Sequence, residues 1–244
     1  MGNADILASF AIVLLAAVIH ASFQLSISVL TLLSGHALGR KSAQHRLLRM
    51  IGGFVIGAAI VTVLLLTFAA FVLSTVLPST THPLVWAASC GALVGVGISV
   101  WMFYYQDRSD STSLWVPRRF AKYLGDRSKS SKVTAEAFSL GMTSVVAELL
   151  FIFAPILVAA LVLISLTPDL QLLGIALYAL ISLLPLVIVA LLISGGRKIS
   201  HIQRWRETNK KFLQFSAGTG LIVLSVYIYV QEVIVTSVSA LGGQ

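Results

Sequence analysis

Residues 137–166 read AFSLGMTSVVAELLFIFAPILVAALVLISL, thirty residues whose one charged side chain is Glu148. As a helix rising 1.5 Å per residue the run is about 45 Å long, and about 20 apolar residues already cross a hydrocarbon core of about 30 Å. A helix that is apolar all round must be buried, in protein or in lipid. Lipid is the answer here, because the run has companions at 6–34, 50–77, 84–105, 170–194 and 212–235. The chain is 57% hydrophobic and 11% charged. Soluble domains carry about a quarter charged residues, enough to coat a globule in water. The sequence therefore predicts an all-α polytopic membrane protein with six transmembrane helices. The opening Met-Gly-Asn-Ala-Asp lacks the basic n-region of a signal peptide, so the first span is expected to be retained. Ile6 stands where a myristoylation signal needs Ser or Thr.

The basic residues give the threading. Arg40, Lys41, Arg46 and Arg49 lie between spans one and two; Arg108, Arg118, Arg119, Lys122, Arg127, Lys129 and Lys132 between three and four; Arg197, Lys198, Arg204, Arg206, Lys210 and Lys211 between five and six. All 17 Lys and Arg thus fall on one side, and the opposite connections at 78–83 and 167–169 hold none. By the positive-inside rule the three basic loops are cytoplasmic, both termini are outside, and the protein sits in the plasma (inner) membrane. The net charge of +8 would suggest nucleic acid in a soluble protein. Topology already accounts for every basic residue, and no nucleic-acid module is recognisable, so no nucleic-acid partner is expected.

The longest basic loop, 106–136, has its own pattern. Leu114, Trp115, Val116, Phe120, Tyr123 and Leu124 interleave with Arg118, Arg119 and Lys122 after Pro117. Such a segment suits a short interfacial helix on anionic headgroups, with Trp115, Arg118, Arg119 and Lys122 as the lipid contacts. The small polar stretch 125–132 reads as a flexible linker. It separates a first three-helix half, 1–105, from a second, 137–244.

The halves share a faint pattern. Ala21-Ser22-Phe23-Gln24-Leu25-Ser26-Ile27-Ser28 aligns with Glu136-Ala137-Phe138-Ser139-Leu140-Gly141-Met142-Thr143, Phe on Phe and Leu on Leu. Three helices are an odd number, so a second copy enters the membrane upside down. The expectation is a 3+3 inverted repeat, an architecture that places transport sites near the midplane between repeats.

Span four also carries a family resemblance. Phe138-Ser139-Leu140-Gly141, followed by Ala154-Pro155-Ile156-Leu157-Val158-Ala159-Ala160-Leu161, resembles the second repeat of the CcdA cytochrome c biogenesis proteins, which group with the LysE-type exporters in one superfamily. The resemblance implies a central, proline-bent pair of helices one and four. It departs at the chemistry. Where the CcdA pattern has a Pro-Cys pair this chain has Phe151 and Ile152, Ala154 replaces a glycine, and span one has no cysteine. A thiol relay needs two thiols that can meet, and Cys90 is alone. What remains of the resemblance implies the solute-export side of the superfamily.

Ionisable groups inside a span are costly and mark the bundle interior or an aqueous path. Here they are His20 and Glu148, each about 15–20 Å into its span and so near the middle of the core. His20, Gln24, Ser28, Thr31 and Gly35 form one helical stripe; Ala137, Gly141, Ser144, Glu148, Ile152, Pro155 and Ala159 form another. Pro155 removes a backbone donor and loosens the carbonyl near Phe151, and span five adds Tyr178, Ser182 and Pro185 on one side. The transport or coupling candidates are His20, Gln24, Ser28, Ser144, Glu148 and Pro155. The competing account is a packed interface whose hydrogen bonds are worth roughly 0.6–2 kcal/mol each. Gly53 with Gly57 and Gly91 with Gly95 read as helix contacts, and Cys90 as a packing residue. No zinc-protease motif, nucleophile elbow or Walker loop occurs, so no catalytic residue, metal or cofactor is expected.

The leading expectation is a non-enzymatic transporter or exporter of a small solute or cation, proton-coupled through Glu148 and His20. A non-catalytic membrane partner that binds protein or lipid is the second, and a degenerate CcdA-like thiol-relay relative the third. Oligomeric state stays open. For the lipid contact the check is direct: replacing Arg118, Arg119 and Lys122 by Gln in a 112–128 peptide should weaken binding to anionic vesicles by roughly 1 kcal/mol per residue. Binding that is weak and insensitive to salt would remove the interfacial helix.

Overall fold

A computed structural model describes residues 3–23, 25–35, 41–77, 83–105, 123–124, 126–128, 133–196 and 199–234. Among these residues the long elements are all helices: α1 (Asn3–Ser22), α2 (Leu25–Gly35), α3 (Lys41–Val76), α4 (Pro83–Ser99), α5 (Thr134–Leu163), α6 (Pro168–Ser194), α7 (Ile199–Thr208) and α8 (Lys210–Ile228). π-helical turns at Val100–Tyr105 and Tyr229–Ile234 extend α4 and α8. Six helices (α1, α3, α4, α5, α6 and α8) are long and apolar enough to cross a membrane. Local chemistry sets their ends where it is strong. Pro168 opens α6, where a missing N–H costs nothing, and Gly196 at φ +82 follows its close.

The helix whose sequence is apolar all round occupies the centre. In α5, 67% of the spanning residues are buried, against 28–39% in the other spans. Around it pack α3, α1, α2 and α4. The outer helices turn apolar stripes outward instead: Ile56, Ile60, Leu64, Phe68 and Phe71 of α3 are all exposed. Water would not tolerate that surface; hydrocarbon suits it.

Span one, expected as one helix over 6–34, is two. Phe23 lies outside both α1 and α2, and its N–H donates to the His20 carbonyl at 3.0 Å, closing α1 with a tighter turn. The Ser22 hydroxyl donates to the Ile19 carbonyl at 2.6 Å, a local bond that competes with the helix ladder. Gln24 lies outside the described residues, as do Trp115, Arg118, Arg119 and Lys122. Within the expected flexible linker, Asp126, Arg127 and Ser128 are helical; Asp126 and Arg127 are exposed and Ser128 is buried. Another amphipathic helix, α7, lies between spans five and six; it touches α2 and exposes Trp205 and Arg204 while partly burying Ile202.

Glycines decide how closely the helices meet. A Cβ on Gly53 would sit 2.8 Å from Thr134 Cγ2, and one on Gly57 or Gly141 would collide with the carbonyl oxygen of Phe138 or Phe54. Helices α3 and α5 therefore touch backbone to backbone. Gly91 and Gly95 differ from the expectation, with open space where a Cβ would go. The buried face of α4 runs through Trp86, Cys90, Leu93, Gly97 and Val100, which leaves Gly91 and Gly95 turned away. The α4 glycine that makes contact is Gly97, whose Cβ would lie 3.0 Å from the Gly218 carbonyl of α8. Cys90 belongs to this seam: its thiol donates to the Ser225 carbonyl at 3.4 Å, and the Ser225 hydroxyl donates to the Cys90 carbonyl at 3.1 Å.

The two glycine classes separate in one experiment. Gly57→Ala and Gly141→Ala overpack a backbone contact and should each cost about 1–3 kcal/mol. Gly91→Ala and Gly95→Ala should cost nothing, since alanine improves helix propensity where space is open. Thermal unfolding in detergent measures all four, and equal losses across them would contradict the seam.

Candidate functional site

The interruption of span one creates the site's first requirement. A helix start leaves its first backbone N–H groups without intrahelical partners, and inside a membrane no bulk water can satisfy them. Ser26, the second residue of α2, is buried there. Glu148 of α5 supplies the partner: its Oε1 accepts the Ser26 backbone N–H at 2.5 Å and the Ser26 hydroxyl at 2.9 Å. The positive end of the α2 dipole also favours negative charge at this point. One turn earlier on α5, the Ser144 hydroxyl lies 2.7 Å from the Gly141 carbonyl and 3.1 Å from Ser26 Oγ. Glu148 is thus the surrogate N-cap of a half-helix from the other end of the chain.

The other side of the break holds the second ionisable group. His20 lies in the last turn of α1, and its Nδ1 is 3.0 Å from the hydroxyl of Tyr178, fully buried on α6. The imidazole tautomer sets which of the two donates. Between them, at the break itself, Phe23 stacks on Phe151 of α5 with ring centroids 5.6 Å apart.

His20 and Glu148 both line a cavity of about 20 Å³, together with Ser26, Thr62, Ser182 and Pro185. A single water needs roughly 10–15 Å³ by this measure, so there is room for one small species. Five helices (α1, α2, α3, α5 and α6) contribute to the wall.

Of the sequence candidates, the structure brings His20 and Glu148 to one cavity and Ser144 into the hydrogen bonds behind it. Ser28 is half-buried away from that lining, where its carbonyl accepts the Thr31 hydroxyl at 2.8 Å. Pro155 is buried on α5 and also stands outside the lining. Gln24 is not described. Ser26 and Thr62 were not anticipated. A stripe through 20, 24 and 28 holds only for an unbroken helix; the interruption at Phe23 resets the rotation and turns Ser26 to α5. Thr62 carried no signal beyond being one hydroxyl in a long apolar helix. Among the described residues no three of His, Cys, Asp and Glu gather as a metal site. No family model, curated protein or solved structure matches the chain.

The His20–Tyr178 bond is measurable by a double-mutant cycle over His20→Ala and Tyr178→Phe. Intramembrane hydrogen bonds couple by roughly 0.6–2 kcal/mol, and that is the coupling expected from unfolding in detergent. Strictly additive losses would mean that the two side chains do not interact.

Proposed function

We propose that this chain is a membrane transporter or exporter of a small solute or cation, built as two inverted three-helix halves and coupled to protons through Glu148. The observation that carries it is the interrupted span one, with a carboxylate from span four on the buried start of the half-helix and a small cavity of mixed polar and apolar lining beside it. Discontinuous helices that meet at the midplane are how secondary transporters place ionisable groups and free backbone where a substrate or coupling ion can reach them. A merely structural bundle has no need to interrupt a helix at that depth.

The helix pairings support the two-half design. Exchange span one with four, two with five and three with six, and the set of packed pairs maps onto itself. The α3–α5 contact becomes α6–α1, α4–α5 becomes α1–α8, α2–α3 becomes α5–α6, and α4–α8 is unchanged. Spans three and six also end alike, in π-helical turns. The resemblance of span four to the LysE-type superfamily points the same way. Orientation follows the basic residues: loops inside, termini outside, in the plasma (inner) membrane.

Glu148→Gln tests the coupling. The amide keeps an oxygen for the Ser26 donors and removes titration. The variant should insert and fold, lose pH-gradient-driven flux at least roughly tenfold, as general acid–base roles do when removed, and keep exchange of solute at equilibrium. Substrates for the assay come from thermal-shift screening of small solutes and cations against the purified protein. Full gradient-driven flux in Glu148→Gln proteoliposomes would exclude Glu148 as the coupling group.

A further inference from the structure

The cavity at the break says more about what it holds than its position does. We propose that it is a binding site for one dehydrated monovalent cation of sodium's size, held by Glu148 and the hydroxyl oxygens of Thr62 and Ser182 in exchange with a proton. The proposal rests on the reading that Glu148 couples transport, and it names the coupling ion.

Donor and acceptor bookkeeping gives the sign of the ligand. The Thr62 hydroxyl donates to the Ala58 carbonyl at 2.9 Å, the Ser182 hydroxyl to the Ala179 carbonyl at 3.2 Å, and the Ser26 hydroxyl to Glu148 at 2.9 Å. A hydroxyl has one proton and two lone pairs. With those protons committed, what these oxygens have left to offer is lone pairs, beside a carboxylate. Hard cations take such oxygen ligands; an anion would meet acceptors.

Charge and size narrow the class. The cavity wall carries one carboxylate, which neutralises one positive charge. A divalent ion would leave a net charge in the membrane core, which is costly. A space of about 20 Å³ admits one water or one bare ion and excludes an amino acid or organic cation. The helix ends at this wall divide the roles: the start of α2 turns its positive end to the Glu148 carboxylate, and the last turn of α1, with His20 and Ala21, presents the negative end of its dipole. Both Thr62 and Ser182 are buried, so neither owes its geometry to bulk solvent.

Proton exchange has few groups to involve. Glu148 of α5 and His20 of α1 are the titratable side chains on the wall, with Tyr178 of α6 bonded to His20; α2 and α3 bring the hydroxyls of Ser26 and Thr62. A proton on Glu148 removes the one negative charge the cation needs. Sodium affinity should therefore fall about tenfold per pH unit wherever Glu148 is protonated, as one-proton competition requires.

The test uses the full-length protein in detergent, with sodium, potassium and choline chlorides at equal ionic strength. At about ten times its dissociation constant, sodium should raise the melting temperature by roughly 3–6 °C over choline, with potassium weaker. Radioactive sodium should bind once per chain and be displaced by acid. Glu148→Gln should abolish that binding, and Thr62→Ala and Ser182→Ala should weaken it several-fold; these two keep the test decisive if Glu148→Gln does not fold. Identical melting in all three salts from pH 6 to 8, or sodium binding that survives in folded Glu148→Gln or in both alanine variants, overturns the cation site. Proton-driven flux would then still stand by itself. Sodium binding without any flux would keep the site and sink the transport reading.

Discussion

A backbone amide in hydrocarbon must find a partner within the protein, and the interruption of span one makes that rule local and severe. The N–H of Ser26 has no carbonyl behind it, and Glu148 takes it. Each group needs the other: the amide lacks a partner at its own level, and the carboxylate would otherwise be a lone acid in the middle of a membrane. The arrangement works only because α5 is the buried helix, and α5 is buried because its small face lets α3 come to backbone contact. Interruption, carboxylate and glycine seam form one dependency.

Much of this was legible in residues. The apolar run around Glu148 required a helix surrounded on all sides, and α5 is that helix. Depth alone singled out His20 and Glu148, and both line the cavity. The interruption was not legible. No glycine or proline stands at 22–26, and Ser22 and Ser26 are both tolerated in helices. What caps the start of α2 is a partner 122 residues away from Ser26, and no local pattern encodes that distance. For the same reason Ser26 went unnoticed while Ser28, one helical step out of place, was favoured.

The glycine pairs make the point from the other side. Gly53-x-x-x-Gly57 and Gly91-x-x-x-Gly95 are the same pattern, and only the first is a contact. Spacing says that a helix has a smooth face; it does not say which face a neighbour chooses. On α4 the large buried residues Trp86, Leu93 and Val100 made that choice, and they carry Gly97 with them. A second amphipathic segment went unnoticed. The longest basic loop drew attention, while the ten residues of α7 hold their apolar and basic sides in a shorter connection.

The seam between α3 and α5 also limits how the bundle can move. Gly57 faces the Phe138 carbonyl and Gly141 faces the Phe54 carbonyl, a mutual interlock in which each helix places a bare Cα against the other's backbone. Sliding either helix by one residue would put a side chain where a hydrogen fits, so axial shear along this line is blocked like a key in a slot. Spans two and four must then travel as one rigid strut, although they belong to different halves of the chain. Any rocking of the halves has to be taken up elsewhere, and the joint already cut into the backbone is the one at Phe23.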